Sequence, residues 1–411
     1  MNKKQFLPRY LESHIKKLAI DRKKMAFISG PRQCGKTTLA KKLMDAYDES
    51  SYQNWDESRF RKLWTKSPND IQNYFDFSKA KKTHLLILDE IHKSKSWKQK
   101  LKGLFDEFGD LLSIIVTGSA RLNVYNKGGD SLMGRYVHFR LHPFTLGEIQ
   151  NLNYSFGPEE FYKKIFSNKM YDTRAQEDIE KLMKFGGFPE PLLDHNEKIL
   201  NIWRNGRLEK VVKQDLRDLT RIQEIGNVEA LMSLIPDRVG SPLSTASLRE
   251  DIEVSFDTVK RWLKFLEELY YLYPIKPYSK SITRSLKKEP KIYLYDWTEI
   301  EDQSFRFENL VASHLLKACH FWEDTGEGKF ELTYLRDKQK NEVDFLILKN
   351  KKPWFTIECK FSDSTLDTQY QRFQSQLKIP HIQLLHKAGH WRKIDDMTWI
   401  MSAEYFLNAL T

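Results

Sequence analysis

The sequence predicts an α/β protein in three parts: a parallel-sheet domain over 1–150, a largely helical segment over 151–300, and a second α/β domain over 301–411. Three observations carry this reading. In the first third, short apolar runs alternate with helically spaced stretches, the pattern of strand–helix–strand units. From about Lys181 to Glu229 apolar residues recur every three or four positions, as in a helical lid. Beyond 300, two strand-like runs flank a turn-like segment.

Met25–Ser29 is a short apolar run that stops at Gly30, and Thr38–Met44 continues with helical spacing. Between them, Gly30-Pro31-Arg32-Gln33-Cys34-Gly35-Lys36-Thr37 matches the phosphate-loop pattern GxxxxGK[ST] in its strand–loop–helix setting. Glycines let backbone N–H groups curl around phosphates, and the helix N-terminus adds its positive dipole end. Lys36 is placed to reach the β- and γ-phosphates of ATP, and the Thr37 hydroxyl to ligate magnesium. Residues Gly30 to Thr38 are therefore the candidate nucleotide-binding set. Cys34 takes a variable position of the loop and reads as packing.

Leu85–Leu88 reads as a buried parallel strand. Asp89 leaves its C-terminal end, where open α/β sheets place ligands, and is the second candidate magnesium residue. Glu90 follows as the group to polarise an attacking water, which points to hydrolysis. Ser113–Ser119 is another buried strand, whose Ser119 or Thr117 hydroxyl is placed to sense the γ-phosphate.

Here the sequence resembles the AAA+ superfamily, in which the sensor strand lies between the phosphate-loop strand and the Asp-Glu strand. It is closest to a bacterial and archaeal group whose motifs recur here in order as Gly30–Leu39, Asp89–Ile91, Thr117–Ala120, Gly134–Glu148 and Gly186–Glu190. The resemblance spans essentially the whole chain and implies a C-terminal domain of unknown function. It also makes Arg135 a candidate trans-acting arginine finger, which implies a ring oligomer, a hexamer by superfamily habit. A structural arginine before the strand Tyr136–Leu141 is the other reading.

Ser244–Ile252 and Phe256–Leu269 read as two helices, the first with a Ser or Thr cap. Val259, Leu263, Leu266 and Leu269 share the apolar face of the second, with Lys260, Arg261 and Lys264 opposite. With the extended Tyr270–Tyr278 they make a winged helix. Its wing, Lys276 to Lys291, carries Lys280, Arg284, Lys287 and Lys288, placed to track a DNA backbone. A packing module with a solvated basic face is the alternative. A second basic run, Lys93, Lys95, Lys98, Lys100 and Lys102, is either a DNA-facing surface or a solvated helix face.

In the last third, Asn341–Leu348 and Trp354–Lys360 read as a hairpin centred near Lys351. Asp344 then lies opposite Glu358, and Lys360 shares their face by the two-residue strand period. Two carboxylates and a lysine suit a Mg²⁺- or Mn²⁺-dependent phosphodiesterase, with Asp344 and Glu358 as metal ligands. The pattern resembles the PD-(D/E)xK core of restriction-endonuclease-like domains, and Glu308 matches their additional helical carboxylate. A salt-bridged hairpin, or such a fold kept for binding alone, fits the same residues.

Composition agrees with these expectations. Of 411 residues 40% are hydrophobic and 30% charged, enough for real cores, which excludes a disordered chain. The net charge of +11 favours a polyanionic partner, nucleic acid before membrane. Three unpaired cysteines exclude a disulfide scaffold and a cysteine zinc site. No apolar run approaches the roughly 20 residues of a membrane span, and the N-terminus has no signal-peptide core, so a cytoplasmic location is expected. The expected activity is ATP-driven remodelling or translocation of DNA. The alternatives are a nucleotide-switched defence nuclease and an ATP-controlled signalling switch.

Overall fold

The computed structural model describes residues 7–78, 83–118, 132–151, 157–167, 175–210, 225–279, 289–362, 365–366 and 368–410. It divides into two compact units, Met1–His142 and Pro143–Thr411.

In the first unit, β1 (Met25–Ser29), β2 (Glu49–Asn54), β3 (His84–Asp89), β4 (Leu112–Gly118) and β5 (Tyr136–Arg140) form one sheet in the order β2-β3-β4-β1-β5. All its pairings are parallel. β4 thus lies between β1 and β3, where the sensor strand is expected. The continuous apolar runs follow from burial on both faces. Met25, Phe27, Leu86 and Leu88 join a cluster with Trp97, Leu101, Leu104 and Phe108 of the helix Trp97–Phe108. Ala26, Ile28, Leu85 and Ile87, pointing the other way, are just as buried. Each large side chain so buried contributes about 1.5–3 kcal/mol.

The helix after the phosphate loop runs over Lys36–Leu43, two residues ahead of expectation, so Lys36 and Thr37 occupy its first turn. Two lysines of the basic run after the Asp-Glu pair are engaged within the fold. Lys93 Nζ is 2.7 Å from Asp56, and Lys100 donates to the carbonyls of Trp64 and Thr65 at 2.8 and 3.0 Å, at the end of the helix Ser58–Lys66.

The second unit opens with helices, among them Pro158–Ile165, Ala175–Phe185, Glu197–Lys210 and Ile225–Leu234. Ser244 caps the helix Thr245–Ile252, as expected, and Ser255 caps Phe256–Glu268. An eight-stranded mixed sheet follows. Its strands are β6 (Leu272–Pro277), β7 (Lys291–Leu294), β8 (Phe330–Arg336), β9 (Glu342–Lys349), β10 (Lys352–Lys360), β11 (His381–Leu385), β12 (Trp391–Asp395) and β13 (Thr398–Ser402). Their order is β12-β13-β11-β10-β9-β8-β6-β7. Residues 280–288 of the expected wing lie outside the described residues. β6 and β7 do pair antiparallel, but β6 also pairs in parallel with β8, so both strands form one end of this sheet. The sheet runs across the boundary expected at 300.

The helix Gln303–Asp324 starts at Asp302, whose carboxylate accepts from the Ser304 and Phe305 N–H groups. Phe161, Trp354 and Phe355 form an aromatic cluster with Trp322 of this helix, rings tilted or edge-on with centroids 4.9–6.3 Å apart. Two of the motifs behind the resemblance prove to be packing devices within this unit. In Pro143–Glu148, the Leu146 N–H donates to His314 Nε2 at 3.0 Å, and Lys317 pairs with Glu148 and donates to Thr145 Oγ1. Burial pushes His314 down to about 4, so it is neutral, with Nδ1–H donating to the Leu310 carbonyl at 2.8 Å. In Gly186–Glu190, a Cβ on Gly187 would stand 2.7 Å from the Phe144 carbonyl oxygen and 2.8 Å from Trp297. No side chain fits there.

Candidate functional site

The phosphate loop is fixed by backbone geometry before any side chain acts. Gly30 (φ 152°), Gln33 (φ 64°) and Gly35 (φ 98°) all take positive φ. A Cβ on Gly30 would meet the Leu141 carbonyl oxygen at 2.1 Å. Arg9 braces the loop, donating to the carbonyls of Cys34 (2.9 Å) and His142. Cys34 is fully buried with its thiol 3.5 Å from the Leu141 carbonyl, which is the packing role expected. Lys36 curls back on the loop and donates to the carbonyls of Gly30 (2.9 Å) and Pro31 (2.7 Å). Gln33 and Thr38 are exposed and Arg32 is partly buried.

Asp89 ends β3 beside this loop and accepts three hydroxyls. Thr37 Oγ1 (2.9 Å) and Tyr52 Oη (2.6 Å) donate to its Oδ2, and Thr117 Oγ1 (2.6 Å) to its Oδ1. A hydroxyl and a carboxylate on hard oxygens suit magnesium, so these residues fit the expected ion. Glu90 takes φ 57° and anchors its N–H on the Thr117 carbonyl at 2.9 Å. Its Oε2 is buried with no hydrogen bond to any described residue, 3.5 Å from His92 Nε2 and 3.8 Å from Lys93 Nζ. Burial raises the Glu90 pKa, against the opposing charges of Lys36, Lys93 and Arg32. A buried acceptor without a donor is the environment that takes a water.

Arg135 forms a two-point pair with Asp106 of its own unit, at 2.6 and 3.1 Å. Thr117 reaches Asp89, while Ser119, the other sensor candidate, lies outside the described residues.

The hairpin of the second unit forms as expected. Asn350 and Lys351, both at positive φ, make its two-residue turn. Leu346 faces Thr356 and Phe345 faces Ile357, which sets Asp344 against Glu358. Glu358 Oε2 accepts the Asp344 N–H at 3.3 Å, and Lys360 Nζ lies 3.1 Å from Glu358 Oε1. Asp344 Oδ2 accepts the Cys359 N–H at 2.9 Å. Glu308 Oε1 accepts the Tyr293 hydroxyl at 2.7 Å.

A residue from outside the motif completes this cluster. Lys291, first of β7 and 1% exposed, places Nζ 2.6 Å from Glu342, 3.2 Å from Asp344 and 3.4 Å from Glu308. It was expected on a basic surface; three carboxylates hold it inside instead. Burial opposes its charge, but Glu308, Asp344 and Glu342 outweigh that and keep its pKa well above the lysine range. Burial and then the Asp344 charge push Glu308 up to about 7 and Glu358 up to about 8. Among the described residues, no group of three or more His, Cys, Asp or Glu side chains is placed to hold a metal ion. In this arrangement a lysine ammonium stands at each carboxylate of the expected metal set, Lys291 at Asp344 and Lys360 at Glu358.

Lys260, Arg261 and Lys264 are exposed on the helix Phe256–Glu268. Lys280, Arg284, Lys287 and Lys288 lie outside the described residues. The sequence reading missed Tyr52, Lys291, Tyr293 and Glu342. Only Glu342 had a local signal, since it stands two residues before Asp344 on one strand face. Among the described residues no helix is long and apolar enough to cross a membrane.

Comparison with known proteins gives three matched stretches. Residues 22–150 match the AAA domain family model, 176–298 a domain of unknown function (DUF8612), and 304–406 another (DUF4143). An uncharacterized protein of Methanocaldococcus jannaschii is 25% identical over 380 residues, 84% of this chain and 76% of that protein. An uncharacterized protein of Haemophilus influenzae is 23% identical over 345 residues, covering 78% and 79%. A solved Walker-type ATPase of Pyrococcus abyssi covers 74% of this chain and 97% of its own, with 13% identity and a TM-score of 0.45.

Proposed function

We propose that the first unit binds ATP with magnesium and hydrolyses it, and that an oligomer of the chain applies this cycle to DNA. The observation that carries the hydrolytic reading is the buried Glu90 Oε2, hydrogen-bonded to none of the described residues, next to a phosphate loop and an Asp89–Thr37 pair. Magnesium, when bound, neutralises phosphate charge. Lys36 exchanges its two loop carbonyls for the β- and γ-phosphates, and the first-turn N–H groups of Lys36–Leu43 receive the remaining oxygens. Glu90 orients a water and takes its proton. The match of residues 22–150 to an AAA domain agrees with this reading. Lys36→Ala removes the mobile cation of the loop, so nucleotide binding, followed with a fluorescent ATP analogue, should be lost. Retained binding would contradict the assignment.

The DNA part is supported by the net charge of +11 and by Lys260, Arg261 and Lys264, exposed together on the second helix of a helix–turn–helix pair. Replacing these three with Ala should lower the log–log salt slope of duplex binding by up to about 0.9 per lost phosphate contact. ATP hydrolysis without DNA should persist. An unchanged slope would remove this helix from the DNA interface. In a ring, Arg135 would leave Asp106 to reach the neighbouring subunit's nucleotide.

A further inference from the structure

The carboxylate cluster of the second unit has a cation of its own. The Lys291 ammonium has three N–H donors, and three carboxylates, from Glu308, Glu342 and Asp344, stand 2.6–3.4 Å from it. Other oxygens of the cluster are also engaged. Asp344 Oδ2 accepts the Cys359 N–H, Glu342 Oε2 faces Arg336 at 2.8 Å, and Glu358 is paired with Lys360. Lys291 and Tyr293 lie within the first domain of unknown function (176–298), whereas the carboxylates and Lys360 lie within the second (304–406). Neither domain alone holds the whole cluster.

We propose that Lys291 is a tethered cation that takes the place of a divalent metal at the junction of Glu308, Glu342 and Asp344, closing the cluster to metal while its charge is there. A divalent ion bound to these oxygens would sit about 2.0–2.6 Å from each. That places it against an ammonium already within hydrogen-bond distance of the same atoms, a like-charge contact in a buried site. The ion enters only if the ammonium leaves, and the ammonium is held by the three charges the ion would need. The second unit is then a lysine-locked relative of a metal-dependent site, whatever the first unit does with nucleotide.

The test is Mn²⁺ binding to the full chain without nucleotide, read by the loss of the free-ion paramagnetic resonance signal. Wild type and Asp344→Asn should bind Mn²⁺ equally, since any ion at Thr37 and Asp89 is common to both. Lys291→Met should gain one site per chain, at least tenfold tighter than any in wild type, and Lys291→Met/Asp344→Asn should lose it. Mn²⁺ should also raise the melting temperature of Lys291→Met more than that of wild type. An Asp344-dependent Mn²⁺ site in wild type overturns the proposal. So does a folded Lys291→Met that binds no more Mn²⁺ than wild type. If Lys291→Met does not fold, the wild-type and Asp344→Asn arms decide alone.

Discussion

Asp89 in the first unit accepts hydrogen bonds from the uncharged hydroxyls of Thr37, Tyr52 and Thr117, whereas Asp344 in the second shares a buried ammonium with two other carboxylates. Hydroxyls orient a carboxylate without cancelling its charge, so a cation can still be drawn to it. An ammonium both orients and cancels. Two acidic sites with similar sequence credentials thus differ in whether their charge remains available to a ligand.

Removing the compensating cation should have the largest effect on stability. Lys291→Met leaves three buried carboxylates without their partner, a loss of about 3–5 kcal/mol by denaturant titration. A cost near zero would mean the ammonium is not what balances the cluster.

An intermediate case is Glu299. Arg207 Nη1 lies 3.6 Å away, and the Tyr271 hydroxyl donates to Glu299 at 2.7 Å. Burial, then the Asp296 charge, still push its pKa from 4.5 up to about 7. The folded form binds the proton more tightly than the unfolded form, so stability is greatest below about pH 4.5 and falls as pH rises toward 7. The loss is at most about 3 kcal/mol at 1.36 kcal/mol per unit. Glu299→Gln should flatten that part of the stability–pH curve; an unchanged slope would place the titration elsewhere.

Tyr52→Phe should have the smallest effect, because Thr37 and Thr117 still hold Asp89. The cost should be about 1 kcal/mol in thermal denaturation. A loss as large as that of Lys291→Met would erase the contrast between the two sites.

How much of this the sequence disclosed follows from contact range. The phosphate loop is eight consecutive residues whose geometry is local, so Gly30 to Thr37 could be read directly. The hairpin partner of Asp344 was legible for the same reason. A register shift between Pro353 and Phe355 even brings the pairing to the expected alignment by Thr356. Lys291 was not legible. In sequence it closes a basic run, and only the approach of residues 308, 342 and 344, fixed by the β6–β8 and β8–β9 pairings, turns it inward. The pairing of β6 with β8 was not legible either, because a strand pair looks the same locally whether or not it joins a larger sheet. Tyr52 needed the parallel β2–β3 register, which sets it beside Ile87, two residues before Asp89.

The most direct measurement of the central claim is ATP turnover by Glu90→Gln beside wild type, with nucleotide affinity measured on the same samples. The amide keeps the shape of Glu90 but cannot take a proton from water. Affinity should be unchanged within a few-fold, while turnover falls by about 10²–10⁴-fold. A Glu90→Gln variant that hydrolyses ATP at the wild-type rate would contradict the account.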